Sequence, residues 1–426
     1  MSKLQSIRGM HDVLPDQTGL WQWLESKLRA IAGRYDFREI RIPIVENVEV
    51  FTRAIGQTTD VVEKEMYAFP DRNDDVLALR PEGTAGVVRS AIQHGLLHTP
   101  GLKVWYCGPM FRHERPQKGR QRQFHQFGAE VFGLDTPATD VELILMVEQV
   151  WRALGLRDNV ELQINSLGDR EDRQRYRDRL LDYLTPYTDQ LDDDSKRRLE
   201  RNPLRIFDSK NPETQAIMAK APRLSEHLGP ESQAHFKDVL RMLDALKVPY
   251  RVNTGLVRGL DYYCHTVFEW VSNDLGAQGT VCAGGRYDDL VEMQGGKATP
   301  GIGFAMGIER VVALLEASGK ELDQQPDAYI VSRADPAQML SIAERLRADL
   351  PGLKLALSLA GGSFKAQFKR ADRSGARYAI VLGPEEIEQG VVQIKDMRAE
   401  ESVQHTIELA RLAGWIETQL GKLETD

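Results

Sequence analysis

The sequence predicts an α+β fold in two domains: residues 1–325, carrying an inserted helical subdomain over 169–248, and a small α/β domain over 326–426. Three observations point there. Two strand-like runs, LKVWYCGPMFRHE and RQFHQFGAEVFG, flank a short polar loop and read as a hairpin. From Asp169 to about Val248 the chain becomes dense in Arg, Asp, Glu, Leu and Gln, with helical texture and little strand character. Beyond GKELDQQP, near Gly319 to Pro326, strand and helix alternate.

In chain order, Leu20, Trp21, Leu24, Leu28 and Ile31 form one apolar face and predict a helix from about Thr18 to Tyr35. FREIRIPIVENVEVF then switches to short, β-branched character. Pro43 inside it implies a sheet edge or strand end, because proline has no N–H to give to a ladder. VLALRPEGTAGVVRSAIQHG reads as a strand, a turn at Pro81-Glu82-Gly83, and a helix opening near Thr84. The hairpin follows, with its loop at Arg115–Gln121. The charge of DREDRQRYRDRLLDYL and SKRRLERNPLRIF suits solvated helix faces carrying i,i+4 pairs. Strand character returns over Tyr250–Asp288, and GIGFAMGIERVVALLEA is a strand running into a helix. In the tail AYIVS, a helix over Gln338–Leu350, LKLALSL, FKAQFKRADRSGA, YAIVLG and VVQIKDM alternate.

The chain holds 55 Lys and Arg against 63 Asp and Glu, a formal charge of −8 at pH 7. Such a balance argues against polyanion binding by the whole surface, so any nucleic-acid contact must be local. No apolar run reaches the ~18 residues that span a bilayer. MSKLQSIRGMHDVLP lacks the apolar stretch of a signal peptide. Cys107, Cys264 and Cys282 are widely spaced and read as free thiols of a reducing compartment, so a cytoplasmic protein without membrane contact is expected. The nine histidines show no HExxH or comparable spacing, and no protein-held metal is expected.

Against this acidic background, Phe111–Gln126 concentrates Arg112, Arg115, Lys118, Arg120 and Arg122 around a single acid, Glu114. In a strand, Arg112 and Glu114 would share a face, as would Gln126, Gly128 and Glu130 on the return strand. The planar fork of an arginine suits phosphate. An exposed hairpin with cross-strand ion pairs accounts for the charge in general, but not for polar residues alternating with Phe124, Phe127, Val131 and Phe132 on a core strand. In LVRGLDYYCHTVFEW, Arg258, Asp261, Tyr262 and Tyr263 form a polar cluster at a strand mouth, which is costly unless paired or bound. An Arg258–Asp261 salt bridge is the plain alternative. AGGRYDDLV offers two glycines for close approach to a ligand or for a tight turn. GIGFAMGIER has GxGxxxG spacing without a surrounding βαβ unit, which disfavours a Rossmann reading, and no P-loop is present.

Taken together, YDFREIRIPIVE, FRHE with its loop and return strand, and GIGFAMGIER resemble, in order, the three motifs of class II aminoacyl-tRNA synthetases. LRPEGT, RGLDYY and AGGRYD look like signatures of the histidyl-tRNA synthetase family, and GGSFKAQFKRADRSGARYAIVLG resembles its anticodon-binding domain. Asp36 stands where the first motif often has glycine, a position whose left-handed backbone Asp tolerates.

The resemblance implies an antiparallel-sheet class II catalytic domain, with L-histidine, ATP accompanied by Mg²⁺, and tRNA(His) as substrates, in a homodimer that uses the Pro43 strand. It places Arg112, Glu114, Arg120 and Arg310 on ATP and Arg258 opposite Arg112 at the α-phosphate, with Arg112, Arg258 and Arg310 catalytic. It places Glu82, Gly83, Thr84, Gln126, Glu130, Arg258, Tyr262 and Tyr263 around histidine. Within that set Glu82 and Thr84 take the amino group, and Glu130 and Tyr263 the imidazole. Arg115, Gln117 and Lys118 would face the tRNA acceptor end. Lys365, Lys369, Arg370, Arg373 and Arg377 would lie at an anticodon site or form a solvated helix face. A non-catalytic regulatory subunit of ATP phosphoribosyltransferase shares the fold, but usually lacks the tail and departs from the motifs that are complete here.

Overall fold

The computed structural model describes residues 3–56, 59–117, 119–201, 203–209, 211–257, 260–322, 324–399 and 404–421. It divides into two compact units, Met1–Glu321 and Leu322–Asp426.

The first unit opens with helix α1 (Pro15–Arg34), which buries Leu24, Leu28, Ile31 and Ala32. It starts earlier than the apolar periodicity suggests because Pro15 suits a first turn and the Gln17 side chain accepts the Leu14 N–H at 3.1 Å. Asp36 then turns the chain at φ +61°. Strands β1 (Arg38–Glu39) and β2 (Val45–Asn47) flank Pro43, and β1 is the edge of the main sheet. Helix α2 (Glu49–Ile55), strands β3 (Ala68–Pro70) and β4 (Val76–Leu79), and helix α3 (Thr84–Gln93) follow, with β2, β4 and β3 forming a small separate sheet.

The hairpin pairs β5 (Leu102–Phe111) with β6 (Gln123–Phe132) over its full length, Leu102 opposite Phe132 and Phe111 opposite Gln123. Strand β5 ends at Phe111, so Arg112 and Glu114 do not share a strand face. The Glu114 N–H instead turns back onto the Arg112 carbonyl at 2.7 Å, and that tight turn sets their directions. After α4 (Pro137–Leu154) and β7 (Glu161–Ser166) come the inserted helices α5 (Arg170–Leu184), α6 (Asp193–Arg201), α7 (Pro212–Met218) and α8 (Pro230–Ala245). Asp192 organises the insertion: its carboxylate accepts from Ser195 Oγ at 2.7 Å and from Ser209 Oγ and Thr214 Oγ1 at 2.8 Å. Those hydroxyls hold its pKa well below the usual carboxylate range against the opposing effect of burial.

Strands β8 (Tyr250–Val252), β9 (Cys264–Val271), β10 (Thr280–Arg286) and β11 (Gly301–Gly307) complete the main sheet, with α9 (Leu290–Met293) before β11 and α10 (Ile308–Ala317) after it. The strand order is β1-β5-β6-β11-β10-β9-β7-β8, antiparallel except for the parallel end pairs β1–β5 and β7–β8. Alternation assigns the two faces. Trp105, Phe127, Ala129 and Val131 join a core with α1, α4, α8 and α10, while Tyr106 and Phe132 pack with α2, α3 and the insertion. Gln126, Gly128 and Glu130 alternate with the first group and so belong to the second face.

AGGRYD differs from both readings of it. Gly284 and Gly285 lie within β10, where a Cβ would come 2.3 Å from the Gly303 carbonyl and 2.6 Å from the Thr266 carbonyl, so they serve close strand packing. Arg286 is buried and binds Asp140 Oδ1 at 2.7 Å and the carbonyls of Leu134 and Thr136.

The second unit contains β12 (Ala328–Ser332), α11 (Pro336–Asp349), β13 (Leu355–Leu357), α12 (Phe364–Arg373), β14 (Tyr378–Leu382), α13 (Pro384–Glu388), β15 (Val391–Asp396), β16 (Gln404–Glu408) and α14 (Leu412–Leu420). Its sheet, β13-β12-β14-β15-β16, is parallel across the first three strands and antiparallel beyond. Ala328 and Ile330 face α11 and α14, while Tyr329 and Val331 face α12. Among the described residues no helix is long and apolar enough to cross a membrane.

Candidate active site

A cavity of about 560 Å³ opens in the first unit over β6, β9, β10 and β11. Of the residues singled out in the sequence, it gathers Glu82, Thr84, Arg112, Glu114, Arg120, Gln126, Tyr262, Tyr263 and Arg310. Arg258 and Lys118 lie outside the described residues. Arg115 and Gln117 are exposed in the hairpin loop, where Gln117 and Arg120 exchange backbone hydrogen bonds at 2.9 and 3.1 Å.

The buried end is built on α3 and β6. Glu82 turns its carboxylate onto the N–H groups of Thr84 and Ala85, both at 2.8 Å, and so caps α3. Burial raises its pKa, opposed by those N–H groups and by Arg112. Gly83 is not a lining residue; it leaves room for Tyr106, whose ring carbon would stand 2.2 Å from a Cβ there. The Thr84 hydroxyl donates to Glu130 at 2.7 Å. Gln126 Oε1 is buried without a hydrogen-bond partner among the described residues, an acceptor offered to a ligand.

Glu130 sits beneath this end, fully buried, and accepts from Thr84, from Tyr287 at 2.5 Å and from Tyr106 at 3.4 Å. An amino acid without an imidazole would therefore not leave Glu130 unsatisfied, because three hydroxyls of its own chain attend it. Gly303 lies directly opposite, and a Cβ there would stand 1.6 Å from Glu130 Oε2. Burial, reinforced by Glu82, pushes the Glu130 carboxyl up to about 8 against the pull of its hydroxyl partners. Its folded pKa thus lies above the ordinary 4.5, so its contribution to stability is full below that value and is lost as pH rises toward 8. Glu130→Gln is expected to flatten the dependence of thermal midpoint on pH between about 5 and 8, and calorimetry of both proteins at several pH values checks this. Parallel profiles would count against titration of Glu130 in that window.

The second cluster is cationic. Arg112 donates from Nε to the Pro81 carbonyl at 2.8 Å, and its guanidinium lies 5.4 Å from the Phe124 ring centre. Arg120 pairs with Glu114 at 3.2 Å. Arg310 donates to the Gly119 carbonyl at 3.1 Å and to the Thr280 carbonyl. Burial lowers the Arg310 pKa, and the nearby Arg120 and Arg112 lower it further. Three guanidinium groups thus converge where an anion would relieve them.

Sequence reasoning missed Tyr106 and Tyr287, which hold Glu130, and Glu269 and Glu309, which line the cavity. Tyr287 directly follows AGGR and Glu309 precedes Arg310, so their motifs were visible while their roles were not. Glu309 lines the cavity and accepts from the His125 N–H at 2.9 Å, with His125 Nδ1 at 3.0 Å, which makes that histidine part of the site's framework.

Residues 9–311 match the family model described as histidyl-tRNA synthetase, and residues 327–419 match an anticodon binding domain. The chain is 58% identical over 398 residues to a histidine–tRNA ligase of Alkalilimnicola ehrlichii, covering 93% of this chain and 92% of that protein. The crystal structure of the apo Staphylococcus aureus histidyl-tRNA synthetase superposes with a TM-score of 0.81 at 36% identity, over 97% of this chain and all of the other. A Bacillus halodurans ATP phosphoribosyltransferase regulatory subunit/histidyl-tRNA synthetase shares the fold, with a TM-score of 0.65 at 19% identity over 90% of this chain and 99% of its own. The chain belongs to the histidyl-tRNA synthetase family.

Proposed function

We propose that this cavity holds histidine at its Thr84–Gln126–Glu130 end and ATP at its arginine end. The activity is histidine–tRNA ligation: histidine and ATP give histidyl-adenylate and pyrophosphate, and the histidyl group then passes to tRNA. The observation that carries the placement is the bond from Arg112 to the Pro81 carbonyl, one residue before Glu82. It seats a phosphate-binding fork beside the carboxylate proposed to receive the substrate amino group, so the histidine carboxylate meets the α-phosphate there.

The reaction needs positioning and charge neutralisation rather than a protein nucleophile. Arg112 holds the α-phosphate, Arg258 approaches it from the opposite side, and Arg310 with Arg120 takes the outer phosphates. Mg²⁺ enters with ATP as part of the substrate. Among the described residues no three His, Cys, Asp or Glu side chains gather to hold a metal. Tyr262 and Tyr263, with ring centres 4.7 Å apart, wall the histidine side, and Tyr263 and Glu130 address the imidazole.

The exposed loop residues Arg115 and Gln117, with Lys118, face the acceptor end of tRNA(His), and the basic side of α12 faces the anticodon. The chain works in the cytoplasm as a homodimer. Supporting the dimer, Val45, Phe69 and Val76 of the small sheet are exposed, as is Ile44 just ahead of it.

Purified protein is expected to catalyse histidine-dependent exchange of pyrophosphate into ATP, and to charge tRNA(His). A protein that binds histidine yet gives no exchange would be a regulatory subunit instead.

A further inference from the structure

The turn that carries the two tyrosines is poorly secured by the sheet. Tyr263 stands just ahead of β9, whose pairing with β10 begins at Cys264 and is broken by a register shift between Gly285 and Arg286. His265 has φ +43°, so the first strand residues are kinked. External groups hold this segment. The His265 N–H donates to the Gly168 carbonyl at 2.7 Å, and the Leu167 N–H donates to the His265 carbonyl at 2.7 Å. The Asp288 N–H reaches Cys264 Sγ at 3.2 Å.

The Tyr263 carbonyl is met by the guanidinium of Arg173, from α5 of the insertion. The same guanidinium lies 3.6 Å from Asp289 Oδ2, and the Arg173 side chain is only 18% exposed. Arg173 is absent from the cavity lining, whereas the Tyr263 side chain is in it. The arginine therefore acts on the backbone of a lining residue without touching substrate.

We propose that Arg173 is a positioning residue for histidine binding, fixing the Tyr262–Tyr263 pair through the Tyr263 carbonyl and so linking the inserted subdomain to the active site. This rests on the reading that these tyrosines receive histidine. Without the arginine, a buried carbonyl loses its charged donor and the turn loses its tether to α5. The grip on ATP proposed for Arg112, Arg120 and Arg310 comes from other elements and is left in place; Arg258, proposed for the α-phosphate, precedes the tyrosines in the same segment, so any shift of it falls on kcat rather than on the KM for ATP.

The test is Arg173→Met, which keeps an unbranched stem and removes the donors, assayed by pyrophosphate exchange with parallel thermal melts. The KM for histidine is expected to rise about tenfold while that for ATP stays within about twofold. Arg173→Lys, with a single ammonium, is expected to show a smaller split of the same sign, and it carries the test if the Met variant does not fold. Asp289→Asn is expected to leave both constants unchanged, which separates the carbonyl bond from the ion pair. Equal rises for both substrates, or an unchanged histidine KM in the Arg173 variants, overturn the proposal. Tyr263→Phe in the same assay distinguishes the two layers. If it raises the histidine KM while the Arg173 variants do not, only the role of Arg173 falls; if it has no effect, the placement of histidine falls and takes this proposal with it.

Discussion

Replacing Arg112 with alanine is expected to lower kcat for histidine-dependent pyrophosphate exchange by about 10³-fold. The guanidinium has five N–H groups in a fixed fork. One is spent on the Pro81 carbonyl, which orients the plane, and Phe124 supports the face. The four N–H groups on the two Nη atoms are those a phosphate would use. Charge that builds on the α-phosphate as the carboxylate attacks would be stabilised more in the transition state than in bound ATP, so the loss falls on kcat more than on KM. Arg112→Lys is expected to recover little, because an ammonium cannot keep the Pro81 bond and a bidentate phosphate contact together. A rise in the KM for ATP with kcat unchanged would place Arg112 in ground-state binding only.

The second large effect concerns Glu130→Gln, for which the histidine KM is expected to rise about 10²-fold with little change for ATP. The amide keeps the size of the carboxyl but cannot carry charge toward an imidazole N–H. Its NH₂ group would also point a donor at one of the hydroxyls of Thr84, Tyr287 and Tyr106, all of which donate to Glu130 now. Burial raises the carboxyl to about 8, so a protonated form, in which the carboxyl itself donates to one of those hydroxyls, lies within reach near neutrality. Glutamine resembles that protonated form, so the variant also asks which form binds histidine. An unchanged histidine KM would mean that the proton stays on Glu130, and it would remove the carboxylate from imidazole recognition. Steady-state exchange kinetics at several pH values decide it.

The elements that the sequence made legible were those with local causes. The hairpin, the strand–turn–helix around Glu82, the helical insertion and the alternation of the tail follow from periodicity and turn residues. The left-handed Asp36 follows from residue type. What stayed hidden depends on distant pairing. Nothing near Glu130 in the chain announces Tyr287, 157 residues away, or that Gly303 must lack a side chain to admit the carboxylate. The same reason hid the packing of AGGRYD, whose glycines lie in β10 against the neighbouring strands rather than in a tight turn. The Arg112–Glu114 face failed for a different cause: β5 stops at Phe111, three residues short of Glu114, and strand ends are set by hydrogen-bond partners, not by alternation.

The parallel pairing of β7 with β8 gives the insertion an unexpected topological status. Leu162 sits beside Tyr250 in the register, so the whole run of inserted helices is simply the crossover that two parallel neighbours require. It leaves and re-enters at the outer end of the sheet, and no other strand threads past it. Lengthening or trimming such a connection costs little, since closure entropy grows only as the logarithm of loop length. The β7–β8 pairing sets no length for the chain between Ser166 and Tyr250, although the buried faces of α5 and α8 belong to the two cores on the sheet. Variation in this crossover is therefore confined to its solvent-facing parts, where neither the buried faces of α5 and α8 nor the contact of α5 with the tyrosine turn is disturbed.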